Sequence, residues 1–343
     1  MDLDERKKRI LASVVENYIE SAEPVGSTKI AEEYEREFSP ATIRNEMKLL
    51  EDSGFLEQPH VSAGRVPSTK GYRYYVDNLM VDNTLSMVDV DYINNNIVSY
   101  GNVEKTLENA ANVVSKLLKL PAVLNVKSTD TVENIKVLKI SEKILLIVLM
   151  SKAGTVKDVI VKINDSLPET RIDELSKLLN KNLKGTPLES LPNILSDAVH
   201  KELSKFSSVL EEMTKHIALE EGKDKTNLKG DFSEFLTLPE LNDVDKVKKF
   251  MNILNTRDII KDALDKIEGN NVSIIIGNEH SEMLLKDYSI ISLDISDDTT
   301  NASLGIISPK RVDYKKATAT LKLVNEKLKK IFNKEKKEDE NGN

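Results

Sequence analysis

Cysteine is absent from the 343-residue sequence, which excludes disulfide bonds and thiol chemistry and gives no indication of an oxidising compartment. Long apolar runs are absent as well. The longest, ILLIVLM at residues 144–150, is far shorter than the roughly 20 residues of a membrane-spanning helix. The N-terminal stretch MDLDERKKRILASVVENY lacks the apolar core of a signal peptide. We therefore expect a cytoplasmic protein that has no membrane partner.

The common motifs of catalysis and cofactor binding are also missing. The sequence contains no GxGxxG, no P-loop, no GxSxG and no CxxC. Glu212 and His216 lie one helical turn apart, but no third ligand accompanies them, and a solvated helix face explains the pair better than a metal site. We expect no enzyme activity, no cofactor and no metal.

Basic residues are scarce overall but are concentrated in one window. The net charge is −8, and residues 1–80 hold eleven basic against fifteen acidic residues. Residues 58–76 nevertheless contain Arg65, Lys70 and Arg73 and no acidic residue. A segment that lies along a phosphate backbone needs cations and excludes carboxylates, so this window indicates a local nucleic-acid contact.

Three short helices precede this window. Apolar residues at helical spacing predict the first, which ends before Pro24, and GSTKIAEEY predicts the second. In SPATIRNEMKLLEDSGFL, Ser39 is a typical N-cap, Pro40 occupies the first helical position, and Gly54 ends the helix. Three short helices of this kind are typical of a helix-turn-helix.

The polar face of the third helix provides candidate base contacts. In a helix-turn-helix the second helix of the pair enters the major groove, where arginine recognises guanine and asparagine recognises adenine. A merely solvated helix face is the alternative for this helix taken alone. The predicted recognition residues are Ser39, Thr42, Arg44, Asn45 and Lys48.

The basic window itself predicts a β-hairpin wing followed by a helix. FLEQ and RV have strand character, PHVSAG between them is rich in turn residues, and Ser68 or Thr69 can cap the following helix. Packing against Tyr72 and pairing with Asp77 are alternative roles for Arg73. The predicted DNA contacts of the wing and this helix are His60, Ser62, Arg65, Lys70 and Arg73.

Residues 1–80 closely resemble the HrcA family of heat-inducible transcription repressors. The resemblance rests on PVGS (24–27), SPATIRNEM (39–47), LEDSGFLEQPH (50–60) and SAGRVPSTKGYRYYVD (62–77). PSTKG departs from the usual Pro-Thr-Asp of the family, although Thr69 can still cap the helix. The resemblance implies an inverted-repeat operator upstream of chaperone operons and activity modulated by the chaperonin.

The remaining chain suggests an α+β architecture. Strand patterns occur at 135–163 and resume at 272–309, with helices between them and a closing helix after them. The resemblance implies a GAF-like α/β sheet domain interrupted by a helical dimerisation domain. We expect a winged helix-turn-helix at 1–80, a connector at 81–102, the GAF-like domain at 103–165 and 227–332, the insertion at 166–226, and a disordered tail at 333–343.

A long helix predicted at about 193–221 carries an apolar stripe, and a homodimer would match the two-fold symmetry of an inverted repeat. Packing within its own domain is the alternative for this stripe. The predicted interface residues are Leu195, Val199, Phe206 and Met213. The favoured function is a dimeric repressor of heat-shock operons. The alternative is a metabolite-sensing winged-helix regulator, for which IIIGNEH at 274–280 offers a candidate pocket lining.

Overall fold

The structure is a computed structural model that describes residues 3–33, 38–81, 85–127, 131–152, 156–191, 194–195, 206–221, 226–230, 233–256, 259–260, 264, 272–296 and 301–341. The chain forms two compact units. The first comprises residues 1–125, 228–295 and 303–343, and the second comprises residues 126–227 and 296–302. Within the described ranges, no helix combines the length and the apolar character that crossing a membrane requires.

The first unit begins with the predicted winged helix. Its helices are α1 (Glu5–Ser21), α2 (Ser27–Glu33), α3 (Pro40–Asp52) and α4 (Thr69–Tyr74), and its wing strands are β1 (Leu56–Glu57) and β2 (Val66–Pro67). The Ser39 hydroxyl accepts a hydrogen bond from the amide of Thr42 at 3.1 Å, which confirms the N-cap. Gly54 has a φ of 78° and follows the last turn of α3, as predicted for a residue that ends a helix.

Two glycines allow close approaches around the wing. A Cβ atom on Gly64 would lie 2.3 Å from the carbonyl oxygen of Val25, and one on Gly71 would lie 2.1 Å from that of Phe55. Real Cβ atoms do not approach a carbonyl so closely, so both positions require glycine. A hydrogen bond from the Ser68 amide to the carbonyl of Phe55 fixes the start of α4 against the residue that precedes β1. The capping hydroxyl of Ser68 supports this arrangement, because it accepts from the Gly71 amide at 3.0 Å and donates to the carbonyl of Gly54 at 2.6 Å.

A five-stranded sheet forms the remainder of the first unit. Its strands are β3 (Ala122–Lys127), β7 (Thr226–Lys229), β8 (Val272–Ile276), β9 (Tyr288–Ser296) and β10 (Asn301–Pro309), in the order β7-β3-β10-β9-β8. Strands β3 and β10 are neighbours although about half of the chain separates them in sequence. The accompanying helices are α5 (Met87–Asn96), α6 (Val103–Leu118), α9 (Val244–Asn255) and α10 (Tyr314–Asn341).

Helices α5 and α10 correct two expectations. The connector predicted at 81–102 contains α5, which Ser86 caps through a 3.1 Å hydrogen bond to the amide of Asp89. The tail predicted to be disordered at 333–343 continues α10 as far as Asn341. Lysine and glutamate dominate this tail, and both residues favour helix even where no core is available. The apolar face of α10 is buried as predicted, at Ala317, Leu321, Val324 and Leu328.

The second unit is a local antiparallel meander with helices. Strands β4 (Val132–Ser141), β5 (Ile144–Ser151) and β6 (Val156–Lys162) pair in that order, and α7 (Glu169–Leu183) and α8 (Ser207–Glu221) complete the unit. We placed these strands in the sheet domain and began the insertion at 166. The compact unit begins at 126 instead, because the three strands pair with each other, and it is therefore mixed rather than purely helical.

The run at 144–150 is the central strand of this meander and is buried on one face only. Leu145, Ile147 and Leu149 are buried, while the residues between them are partly exposed. The uniformly apolar sequence of the run would also suit a strand buried on both faces, but the observed burial alternates. Alternating burial leaves a second apolar face on the sheet.

Candidate DNA-binding site

The recognition helix presents three polar side chains away from the core. Ile43, Met47 and Leu50 of α3 are buried, whereas Arg44, Asn45 and Lys48 are exposed. Because a helix places residues three and four positions apart on one face, these three form one polar surface. The structure thus brings together the predicted recognition residues Arg44, Asn45 and Lys48 at one exposed surface.

The polar side chains at the start of α3 form hydrogen bonds within the helix cap. The hydroxyls of Ser39 and Thr42 lie 2.9 Å apart, and Ser39 also caps the helix. Both residues remain close to the exposed N-terminus of the helix. Their contact with DNA stays a prediction.

Ion pairs fix the recognition helix against α1. Glu46 lies 3.3 Å from the Arg6 guanidinium and 3.3 Å from the Lys7 ammonium group. The Glu46 side chain is largely shielded, so these cations compensate a carboxylate on the inward side of α3. The polar surface of α3 is thereby held in one orientation.

The tip of the wing is short, exposed and held by the backbone. The Gln58 amide donates to the carbonyl oxygens of Val61 and Ala63 at 2.9 and 3.1 Å, which closes the turn. His60 and Ser62, both predicted DNA contacts, are exposed at this tip. A groove-facing wing needs such an exposed tip, so these two positions suit a backbone contact.

Arg65 is placed differently from the prediction. Its guanidinium pairs with Glu51 at 2.8 Å, and its amide and carbonyl form 2.9 Å hydrogen bonds with Val25. The side chain is largely shielded from solvent. Since its charge is neutralised by Glu51, Arg65 positions the base of the wing. Glu51 lies fourteen residues before Arg65 and outside the window of residues 58–76, so the composition of that window did not indicate this ion pair.

Lys70 remains exposed and is also oriented by the protein. Its ammonium group donates to the carbonyl of Ser53 at 2.8 Å and lies 4.3 Å from the centre of the Phe55 ring. Neither contact neutralises the charge, so Lys70 retains a positive charge at the surface. Its predicted contact with phosphate stays a prediction.

Arg73 is engaged by partners within the protein, and its predicted contact with DNA stays a prediction. It donates to Glu279 at 2.7 Å and to the carbonyl of Ile274 at 2.5 Å, and it also pairs with Asp77 at 3.1 Å. Glu279 follows β8, so this arginine joins α4 to the sheet. Hydrogen bonding to Glu279 raises the pKa of Arg73, which stays charged at every accessible pH. The pairing with Asp77 was anticipated, whereas Glu279 was not.

Arg311 provides a second connection between the winged helix and the sheet. It donates to the carbonyl of Ile19 in α1 at 2.7 Å and forms a two-pronged ion pair with Glu240. Lys315 of α10 pairs with Glu16 of α1. Sequence analysis missed these residues, because their partners lie far away along the chain and no local pattern marks them.

Three of the four predicted dimer-interface residues are buried within their own unit. Phe206 is 2 % exposed and Met213 is 0 % exposed, and both belong to the core between the three-stranded sheet and its helices. Leu195 is buried in the same core, and Val199 lies outside the described residues. An apolar stripe has the same periodicity whether it packs inside a domain or at an interface, so the alternative reading of this stripe is correct.

Among the described residues no group of three or more potential ligands is arranged to hold a metal. Glu212 pairs with Lys215 at 2.8 Å, and this cation lowers the pKa of the Glu212 carboxyl. The pair of Glu212 and His216 is thus a solvated helix face.

The three-helix unit, its wing and the exposed Arg44, Asn45 and Lys48 define a winged-helix DNA-binding protein. Residues 2–78 match the family model described as the winged helix-turn-helix transcription repressor, HrcA DNA-binding domain, and residues 104–318 match that of the HrcA protein C-terminal domain. The chain belongs to the HrcA family of heat-inducible transcription repressors, and it is not an enzyme.

Relatives align along nearly the whole chain. The heat-inducible transcription repressor HrcA of Ruminiclostridium cellulolyticum is 33% identical over 341 residues, covering 96% of this chain and 97% of the relative. That of Alkaliphilus metalliredigens is 31% identical over 341 residues, covering 97% and 98%. A crystal structure of a hypothetical protein has a similar fold, with a TM-score of 0.63 and 22% identity over 97% of this chain and 100% of that one.

One arginine variant and one lysine variant should distinguish a residue that docks the winged helix from a residue that contacts DNA. Arg73→Ala should lower the free energy of unfolding by about 1 kcal/mol, since it removes the ion pair with Glu279, and should not change the salt dependence of DNA binding. Lys48→Ala should leave stability unchanged and make the salt slope shallower by about 1 per contact. Urea unfolding and DNA titrations at several salt concentrations measure both. A shallower slope for Arg73→Ala would place that residue at the phosphates.

Proposed function

We propose that this chain is a cytoplasmic repressor that binds, as a homodimer, an inverted-repeat operator upstream of chaperone genes, and that the chaperonin sets its activity. The observation that carries the operator assignment is the exposed polar surface formed by Arg44, Asn45 and Lys48 on a helix that Glu46 fixes from behind. A capped helix with exposed arginine and asparagine in its first two turns is suited to base edges in a major groove.

Each residue has a distinct part in this proposal. Arg44 presents two parallel N–H donors to a guanine, Asn45 offers a donor and an acceptor to an adenine, and Lys48 contacts phosphate. The exposed wing tip with His60 and Ser62 follows the adjacent backbone, and Lys70 adds a cation beside it. Arg65 and Arg73 act indirectly, through the position of the wing and of α4.

Replacing the two base-contacting residues tests the operator assignment. Arg44→Ala and Asn45→Ala should each weaken operator binding by about 1–3 kcal/mol and relax specificity at one base pair per half-site. Random duplex should be affected much less, because phosphate contacts remain. Competition titrations with operator and random DNA measure the ratio. Unchanged ratios in both variants would remove α3 from the major groove.

The homodimer needs an interface other than the buried stripe, and the open face of the three-stranded sheet provides one. Leu138, Leu146 and Ile160 lie in one row across the strands, and Leu138 and Ile160 are 42% and 53% exposed. Ile140 and Val156 extend this apolar surface. We call these five residues the open sheet face. An apolar sheet surface that the described residues leave exposed is suited to pairing with a second copy.

A charge on the open sheet face should dissociate the dimer. Ile160→Asp should yield monomers in sedimentation experiments and reduce operator affinity, because one winged helix contacts only one half-site. Its side chain is exposed in the single chain, so the fold should persist, as circular dichroism would verify. Lys177→Glu, on the exposed surface of α7, is the matched control and should remain dimeric. A dimeric Ile160→Asp variant would place the interface elsewhere.

Modulation by the chaperonin draws support from the topology of the five-stranded sheet. Strand β10 pairs beside β3 across about half of the chain, and such non-local pairing is slow and leaves apolar strands transiently unpaired. Strand β8, with the sequence VSIII, lies at the sheet edge. The ILLIVLM strand differs from β8 and β10. It is the centre of a local meander and pairs with its neighbours in sequence, so its pairing does not depend on distant segments.

Under this proposal the occupancy of the operator depends on the amount of free chaperonin. During heat stress unfolded clients occupy the chaperonin, so the amount of active repressor declines and the chaperone genes are transcribed. Refolding from denaturant with and without chaperonin and ATP tests the mechanism. Recovery of operator binding should be markedly greater with chaperonin. Equal recovery in both reactions, together with repression that is insensitive to chaperonin depletion in cells, would overturn the modulation and leave DNA binding intact.

A further inference from the structure

A cavity of about 660 Å³ lies within the first unit, where the winged helix meets the sheet domain. Tyr18, Pro67 and Tyr72 of the winged helix form one side. Leu241 and Ile253 belong to the other side, together with residues that follow β10. This volume falls in the range of small-molecule sites, which are mostly apolar and carry a few convergent polar groups.

Tyr72, one of the lining residues, carries a buried hydroxyl group without a partner in the part of the chain that the structure describes. Tyr72 is 1% exposed, and its hydroxyl forms no hydrogen bond with any described residue. Tyr314, whose ring lies 5.7 Å away, provides a contrast, because its hydroxyl contacts Ser289 at 2.9 Å and the carbonyl of Lys310 at 2.7 Å. Leaving a buried hydroxyl unpaired is unfavourable, so the Tyr72 hydroxyl is suited to an acceptor oxygen supplied by a ligand.

The outer part of the cavity is cationic. Lys246, Lys249, Lys286 and Lys310 line it, and none of them pairs with a carboxylate among the described residues. Arg311 also lines the cavity but is neutralised by Glu240.

Two further acids, Glu57 and Asp287, lie on the same lining, so the unpaired cations outnumber the unpaired acids by four to two. Exposed apolar side chains, Met283 and Leu284, contribute to the outer lining as well. An opening of this composition favours an anion that carries an apolar body.

We propose that this cavity binds a small organic anion, with its carboxylate or phosphate among the four lysines, its apolar body along Leu241 and Ile253, and a hydroxyl or carbonyl oxygen at the Tyr72 hydroxyl. Such a ligand contacts the winged helix and the sheet domain at once. It therefore stabilises their docked arrangement by mass action. The cavity adds a small-molecule site to a repressor whose other partners are macromolecules.

Four probes of equal chain length test the three parts of this site: 8-hydroxyoctanoate, octanoate, octyl phosphate and 1,8-octanediol. Calorimetry and thermal unfolding of the full chain should show that 8-hydroxyoctanoate binds more tightly than octanoate and far more tightly than the uncharged diol. Comparison of octanoate with octyl phosphate identifies the preferred anion. Failure of all three anions to bind more tightly than about 1 mM would overturn the site.

Variants locate the bound probe. The double change Lys246→Gln and Lys249→Gln should weaken 8-hydroxyoctanoate binding roughly tenfold, through loss of two charged contacts. Lys248→Gln is the matched control on the same helix, because Lys248 pairs with Asp245 and does not line the cavity. Equal affinity of the double variant and the wild type would overturn the assignment.

Tyr72→Phe should weaken 8-hydroxyoctanoate and leave octanoate unaffected. Its melting temperature without ligand should equal or exceed that of the wild type, because the lost hydroxyl has no partner. Tyr314→Phe is the structural control and should melt at a lower temperature, since it loses two hydrogen bonds. A Tyr72→Phe variant that binds both acids as the wild type does would remove the tyrosine from the site.

Discussion

Ion pairs between the winged helix and the sheet domain determine which basic side chains of the winged helix stay available for contact with DNA. Arg73 reaches across this junction to the Glu279 carboxylate and the Ile274 carbonyl. Arg311 reaches across it to the Ile19 carbonyl, while Glu240 of its own domain holds the guanidinium in place. Both pairs are partly withdrawn from water, where removing one partner exposes the other to an uncompensated desolvation cost. The basic window of the sequence therefore divides into docking residues and surface residues, although all of its members carry the same charge.

Helix α4 connects the junction to the wing. On one side Tyr72 packs against Tyr314 and Arg73 holds Glu279, and on the other side Gly71 lies against Phe55, the residue that precedes β1. Because a close-packed contact without side chains transmits displacement directly, a shift at the junction displaces the base of the wing. The cavity lined by Tyr72 adjoins the same helix.

Most of the winged helix was predictable from the sequence, and most of the junction was not. The caps at Ser39 and Ser68 and the turn at Gly54 are encoded within a few residues, so local pattern suffices to place them. The partners of Arg73 and Arg311 lie about 206 and 292 residues away, and only tertiary structure brings them together. The stripe of Phe206 and Met213 failed as an interface for a related reason: periodicity identifies an apolar face without identifying what covers it. The same limit misassigned strands β4 to β6, whose pattern is identical in either sheet.

Because the chain is synthesised from its N-terminus, the winged helix is made before the residues that dock it to the sheet domain. The ribosome completes α1 to α4 before any of Glu240, Glu279 or Arg311 exists, and β10, which completes the sheet beside β3, follows nearly last. A nascent chain therefore carries the exposed Arg44, Asn45 and Lys48 while Arg73 is still without Glu279. During translation the winged helix can therefore form before it is docked to the sheet domain, whereas the finished protein has both properties at once.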